Sequence, residues 1–102
     1  MKAAASFTLI NIPSTAGVEE AFQFTSSIGG AFWSFEFIWA NSAWNAWATL
    51  PSGEVRPFGC RPNVIDWSAF TDYGIVMLAS KDELLQPDIN AAGTSLVVIG
   101  WA

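Results

Sequence analysis

The chain has 102 residues, 52% of them hydrophobic and 15% aromatic, with nine Asp and Glu against four Lys and Arg, no histidine and one cysteine. That length holds one domain with one core, and the lack of histidine removes the commonest general base and the commonest metal ligand. A net charge of −5 with no basic cluster argues against nucleic acid as a partner, since phosphates are neutralised by Lys and Arg, and the lone Cys60 cannot form an internal disulfide.

In chain order, the first element expected is a strand around Phe7–Ile10, followed by a loop over Pro13–Gly17. The lysine and mildly apolar run at the N-terminus are interrupted by Ser6, Thr8, Asn11 and Pro13, so they are read as this strand and not as a secretory signal. Residues 21–26 alternate, with Phe22 and Phe24 directed inward and Gln23 and Thr25 outward, and Gly29-Gly30 makes a tight turn.

Next comes the most informative segment, FWSFEFIWANSAWNAWATL over 32–50, which carries four of the six tryptophans. Trp33, Phe35, Phe37 and Trp39 share one face of a strand; Phe32, Ser34, Glu36 and Ile38 share the other. Ala40–Ala43 turns the chain into a second strand, Ala43–Thr49, with Trp44, Ala46 and Ala48 on one face and Asn45, Trp47 and Thr49 on the other. Small alanines opposite large rings balance volume in a tight core. Tryptophan on both faces of the hairpin suits a barrel with one side buried and the other in an interface.

Leu50-Pro51-Ser52-Gly53 has the type I preference, with Pro second and Gly fourth. Val55–Phe58 is short, and Pro57 confines it to an edge or a bulge. Gly59–Asn63 is a rigid irregular loop, and Val64–Phe70 reads equally as strand or as a helical turn. Gly74–Ala79 is a β-branched strand, Lys81–Leu84 a polar loop or turn, Pro87–Gly93 a loop, and Thr94–Trp101 a last strand. The unbroken apolar runs at Ile75–Ala79 and Leu96–Ile99 are far shorter than the roughly 18 residues of a spanning helix. The result is one all-β domain over 1–102, a small barrel or sandwich of about seven short antiparallel strands.

Chemistry is scarce. Cys60 has no histidine partner; Arg61 beside it would lower its pKa, whereas a structural role makes it a small, half-buried hydrophobe. Asp88-x-Asn90-x-x-Gly93 begins like a calcium loop, but Ala92 and Ile99 occupy positions that need oxygen ligands. Asp66 with Asp72, or Glu19 with Glu20, are carboxylates without a nameable nucleophile, so no enzyme, cofactor or metal is expected. Charged residues make up 13% of the chain, about half the ~25% of an average soluble domain, so part of the apolar surface is expected to be covered by copies of itself or by a partner.

Phe22-Gln23-Phe24, a turn, and SFEFIWANSAWNAWATLPSGEVRPFG resemble the small plug proteins of contractile-tailed phage baseplates, of the cyanophage type. The positions that match are Phe22, Phe24, Phe35-Glu36-Phe37, Trp39 with Asn41, Trp44, Trp47 and Gly53; later, Asp82–Pro87 and Asn90–Leu96 resemble the family's acidic, Pro-containing loop and closing strand. The resemblance covers about residues 20–101. It departs from the family in placing Trp39 and Trp47 on both faces and in Arg61–Val64, where a more aliphatic loop is expected. It implies a structural virion protein at the junction of tail tube and central hub, with hub and tube proteins and copies of itself in a symmetric ring as partners, and no nucleic acid or membrane. Assembly would take place in the host cytoplasm. Trp101, Trp47 and the edge strand with Val55 and Phe58 are the expected contact residues, although Trp101 packed inside is an equal alternative. Other readings are a tail-tube or shell protein, or a small carbohydrate-binding β module in which tryptophan stacks on sugar rings.

Overall fold

Two pairs of residues with left-handed backbone set the middle of the chain. Gly29 and Gly30 have φ of 61° and 83°, and Asn41 and Ser42 have φ of 55° and 60°. Positive φ at both central residues is what a two-residue hairpin turn of type I′ requires, and its twist matches that of the flanking strands. These turns join β2 (Ala21–Ile28), β3 (Ala31–Ala40) and β4 (Ala43–Thr49) into a continuous meander. The third turn is wider. The Gly53 amide donates to the Leu50 carbonyl at 2.9 Å, the Leu50 amide donates to the Glu54 carbonyl at 2.9 Å, and Gly53 has φ of 91°. A turn closed in this way by a left-handed glycine is the usual three-residue hairpin loop, and it leads into β5 (Val55–Phe58).

The computed structural model describes residues 4–12, 20–66, 72–80 and 94–101, without the side chains of 4, 5 and 101. Every described element is a strand. Besides the four above there are β1 (Ala4–Asn11), β6 (Ile65–Asp66), β7 (Tyr73–Leu78) and β8 (Ser95–Trp101). They form two antiparallel four-stranded sheets, one in the order β1-β8-β7-β6 and the other in the order β2-β3-β4-β5. The chain starts in the first sheet, builds the whole second sheet as a meander, and returns to finish beside its own beginning. The sheets are not closed into a barrel, so of the two expected architectures the sandwich is the one formed, with eight strands.

The core lies between the sheets. Trp33, Phe35 and Phe37 from β3, Trp44, Ala46 and Ala48 from β4, and Phe58 from β5 meet Ile10, Ile75, Met77, Leu96 and Val98 from the other sheet. The face assigned from alternation in β3 is therefore the inner one, with Trp39 half-buried at its end. Phe22 and Phe24 pack on that core from β2: Phe22 stacks on Phe37 with ring centroids 5.0 Å apart, and Phe24 meets Phe35 at 5.5 Å. Trp33 and Tyr73 bridge the sheets edge to face at 4.8 Å. Offset and edge-to-face aromatic contacts of this kind contribute about 0.5–1.5 kcal/mol each beyond their buried area. Of the region read as strand or helical turn, Ile65–Asp66 is strand and residues 67–70 lie outside the described residues, as do the expected loops at Pro13–Gly17, Lys81–Leu84 and Pro87–Gly93.

Candidate interaction surfaces

The two outer faces of the sandwich differ in chemistry. On the β2–β5 sheet, register aligns Gln23, Glu36, Trp47 and Pro57 in one row and Thr25, Ser34, Thr49 and Val55 in the next. This face is mostly amide, hydroxyl and carboxylate. The Gln23 side-chain amide donates to the Ser34 hydroxyl at 2.9 Å, and Glu36 is exposed. Phe32, 73% exposed, stands singly beside Ser27 near the Gly29-Gly30 turn.

The other outer face is apolar. Alternation turns Phe7 and Leu9 of β1 outward together with Val97 and Ile99 of β8, Val76 of β7 and Ile65 of β6, in the rows Phe7–Ile99–Gly74 and Leu9–Val97–Val76–Ile65. No charged residue occurs in β1, β7 or β8. Val76 and Ile99 are buried although they point away from the inter-sheet core. Toward the β1 edge, burial ends: Phe7 is 70% and Leu9 63% exposed. Scattered apolar residues on a surface are ordinary, but two adjacent large ones on one uncharged strand form a patch.

The residues expected at contacts fall in different places. Val55 is exposed on β5, which is an edge strand as Pro57 requires. Trp47 is half-buried on the outer face, between Glu36 and Pro57. Phe58 is not on the surface. It is 6% exposed, and its ring meets Phe37 edge to face at 5.9 Å and Phe35 at 6.3 Å. Pairing of Phe58 with Ala46 explains this, because the small alanine on the inner face leaves room for the phenyl ring beside it. The backbone of Trp101 ends β8 opposite Ala4, and its side chain lies outside the described residues. The exposed apolar residues that sequence reasoning did not single out are Phe7 and Leu9. Their only local signal is the alternation Phe-Thr-Leu-Ile-Asn-Ile, in which both faces are apolar.

Two of the concave regions among the described residues are partly polar. One, of about 410 Å3, is lined by the hydroxyl-bearing residues Ser6, Thr8, Ser52 and Tyr73 together with apolar ones that include Ile28 and Trp33. The second, of about 360 Å3, is lined by Gly59, Arg61, Val64, Ile65 and Asp66. Beside it, Asp66 accepts the Gly59 amide hydrogen at 2.8 Å and tethers the chain leaving β5 to β6. Cys60 sits within that tether. Burial, and secondly the Asp66 carboxylate, push its thiol up from 9.0 to about 12, opposite to the lowering expected from Arg61. It is a free, partly buried thiol held in its neutral form. Among the described residues, no three His, Cys, Asp or Glu side chains gather as a metal site would need.

The class of protein this geometry defines is a small two-sheet antiparallel sandwich with one polar and one apolar outer face. No family model, no curated protein and no solved structure matches the chain.

Proposed function

We propose that the chain is a structural subunit of a phage tail, a baseplate plug set where the tail tube meets the central hub, and that it works by packing against copies of itself and neighbouring tail proteins. The observation that carries the reading is the uncovered apolar patch of Phe7 and Leu9 on β1, beside β8 and β7, three strands without charges, which an assembly subunit buries and a free monomer leaves in water. The order of aromatic and turn residues from Phe22 to Gly53, on which the resemblance to plug proteins rests, supports the particular assembly. The experiment is quantitative mass spectrometry of purified virions, scaled to the major capsid protein. A few copies per particle agree with a plug; a hundred or more move the chain to the tube or shell; absence from virions removes the reading.

A second reading has its own observation. Trp47 lies among Glu36, Asn45 and Thr49 on the polar outer face, with Gln23 in its row, and an indole bordered by carboxylate, amide and hydroxyl groups is suited to stacking and hydrogen bonding with a sugar ring. Retention on an immobilised glycan that is lost in Trp47→Ala would favour that module over the tail subunit.

A further inference from the structure

From the edge of the apolar sheet we infer that β1 pairs antiparallel with β1 of a second copy, centred on Thr8, joining the two four-stranded sheets into one of eight strands. This names the self-contact of the tail-subunit reading, and rests on it only for its setting.

β1 is hydrogen-bonded on one side alone, to β8, and among the described residues its other edge has no partner. An open edge is a template for another strand, and folded proteins commonly blunt it with proline, charge, a bulge or brevity. The β5 edge carries Arg56 and Pro57, and β6 is two residues long and includes Asp66. β1 has eight residues with no proline or charge, and its register shift falls between Ala4 and Ser6, so Ser6–Asn11 remain regular. The β2 edge is also unguarded, but its outward residues Gln23, Thr25 and Ser27 are polar and solvated without a partner.

A second copy fits this edge because the sequence complements itself. With Thr8 opposite Thr8 of the second copy, Phe7 stands opposite Leu9 and Leu9 opposite Phe7 on the outer face, while Ser6 stands opposite Ile10 on the inner face. Directly opposed aromatic and aliphatic side chains are the favourable unit of sheet pairing. The charge balance also fits. The chain carries −5 overall, yet this edge brings no like charges together. A large aromatic carries roughly 150–250 Å2, so two copies of Phe7 and Leu9 at 70% and 63% exposure, with both backbone edges, bury on the order of 1,000 Å2 in total. That is at the lower limit for specific complexes, which predicts a dimer that dissociates on dilution. An isologous contact is complete at two copies, so a larger ring needs a second surface.

The test is sedimentation velocity of the full chain over a wide concentration range, beside Phe7→Lys and Leu9→Lys. Both positions are exposed and outside the core, and circular dichroism verifies folding. The expected result is a reversible dimer whose dissociation constant rises at least about tenfold in either variant, as for charge placed in a dry contact. Thr8→Cys in a Cys60→Ala background, oxidised with diamide, should cross-link in high yield, since directly opposed strand residues lie about 4.5–5.5 Å apart at Cα. A chain monomeric at every concentration overturns the contact, as does a dimer unaffected by both lysines or a Thr8→Cys dimer that does not cross-link. A monomeric chain found at a few copies per virion would overturn this contact alone and leave the plug reading in place.

Discussion

The side chain of Asn63 pairs with the backbone of Ala79 as a strand residue would: its Nδ2 donates to the Ala79 carbonyl at 3.0 Å, and its Oδ1 accepts the Ala79 amide hydrogen at 3.1 Å. Its own amide donates to the Met77 carbonyl at 2.8 Å, and its φ is 63°. Asparagine tolerates this left-handed backbone better than other residues with a Cβ, and here its amide also closes the end of β7. Asn63→Ala loses both side-chain bonds and adds backbone strain, so it should cost about 1–2 kcal/mol. Asn63→Gly keeps the backbone and should cost about half as much. Urea denaturation with unchanged slope measures both; equal losses would mean that φ contributes nothing.

The Asn41-Ser42 turn should be improvable. Both residues are left-handed, and Ser42, at φ of 60°, is the less suited of the two. Asn-Gly is the preferred pair for a two-residue turn with positive φ at both positions. Ser42→Gly removes strain of about 1 kcal/mol and returns part of it as unfolded-state entropy, for a net gain of about 0.5 kcal/mol. A rise in melting temperature of a few degrees is the expected reading, and a fall would show that the serine side chain contributes to the fold.

How much was legible in the sequence depended on how sharply a strand contrasts its faces. In β3, Ser34 and Glu36 alternate with Trp33, Phe35 and Phe37, so the inner face could be assigned by period alone. In β1, Phe7 and Leu9 alternate with Thr8, Ile10 and Ile12, and no local pattern says which set is covered. That is decided by pairing with β8, about ninety residues away in sequence. Phe58 shows the same limit at shorter range. Pro57 marks an edge strand, but the direction of the Phe58 ring follows from its register with Ala46, set by the loop at Gly53. The Asn63–Ala79 pairing joins residues 16 apart, and nothing in a single sequence signals it.

Phe58 therefore serves as a test of core against contact. Phe58→Ala should destabilise the isolated domain by about 3–5 kcal/mol, because it empties a site between Phe35 and Phe37. Val55→Ala, at 57% exposure, should change stability by less than about 0.5 kcal/mol. Comparable small effects at both positions would place Phe58 back on the surface.

Trp44 is 5% exposed, and its indole Nε1 has no hydrogen-bond partner among the described residues. The ring is held by aromatic contacts, with Trp39 at 5.4 Å and Phe22 at 5.5 Å. An unpaired buried donor costs about 1–3 kcal/mol, which offsets much of the packing lost with a smaller ring. Trp44→Phe should therefore lie within about 1 kcal/mol of the parent, against about 3–5 kcal/mol lost for Trp44→Ala. A large loss in Trp44→Phe would reveal an acceptor for the indole hydrogen.

Cys60 carries a pH dependence whose sign can be worked out. Its thiol is raised from 9.0 to about 12 in the folded chain, first by burial and then by Asp66. Below about pH 9 both folded and unfolded chains hold the proton, and the group leaves stability unchanged with pH. Between about 9 and 12 the unfolded chain loses the proton while the folded chain keeps it, so ionisation favours unfolding and stability falls as pH rises. Cys60→Ala should flatten the stability curve across that window. At pH 8 the three-unit rise leaves about a thousandfold less thiolate than an unshifted thiol would have, so alkylation by iodoacetamide should be slow in the native chain and fast in urea. Rapid native alkylation at pH 8, or equal steepness of the two alkaline curves, would contradict a thiol held neutral by its surroundings.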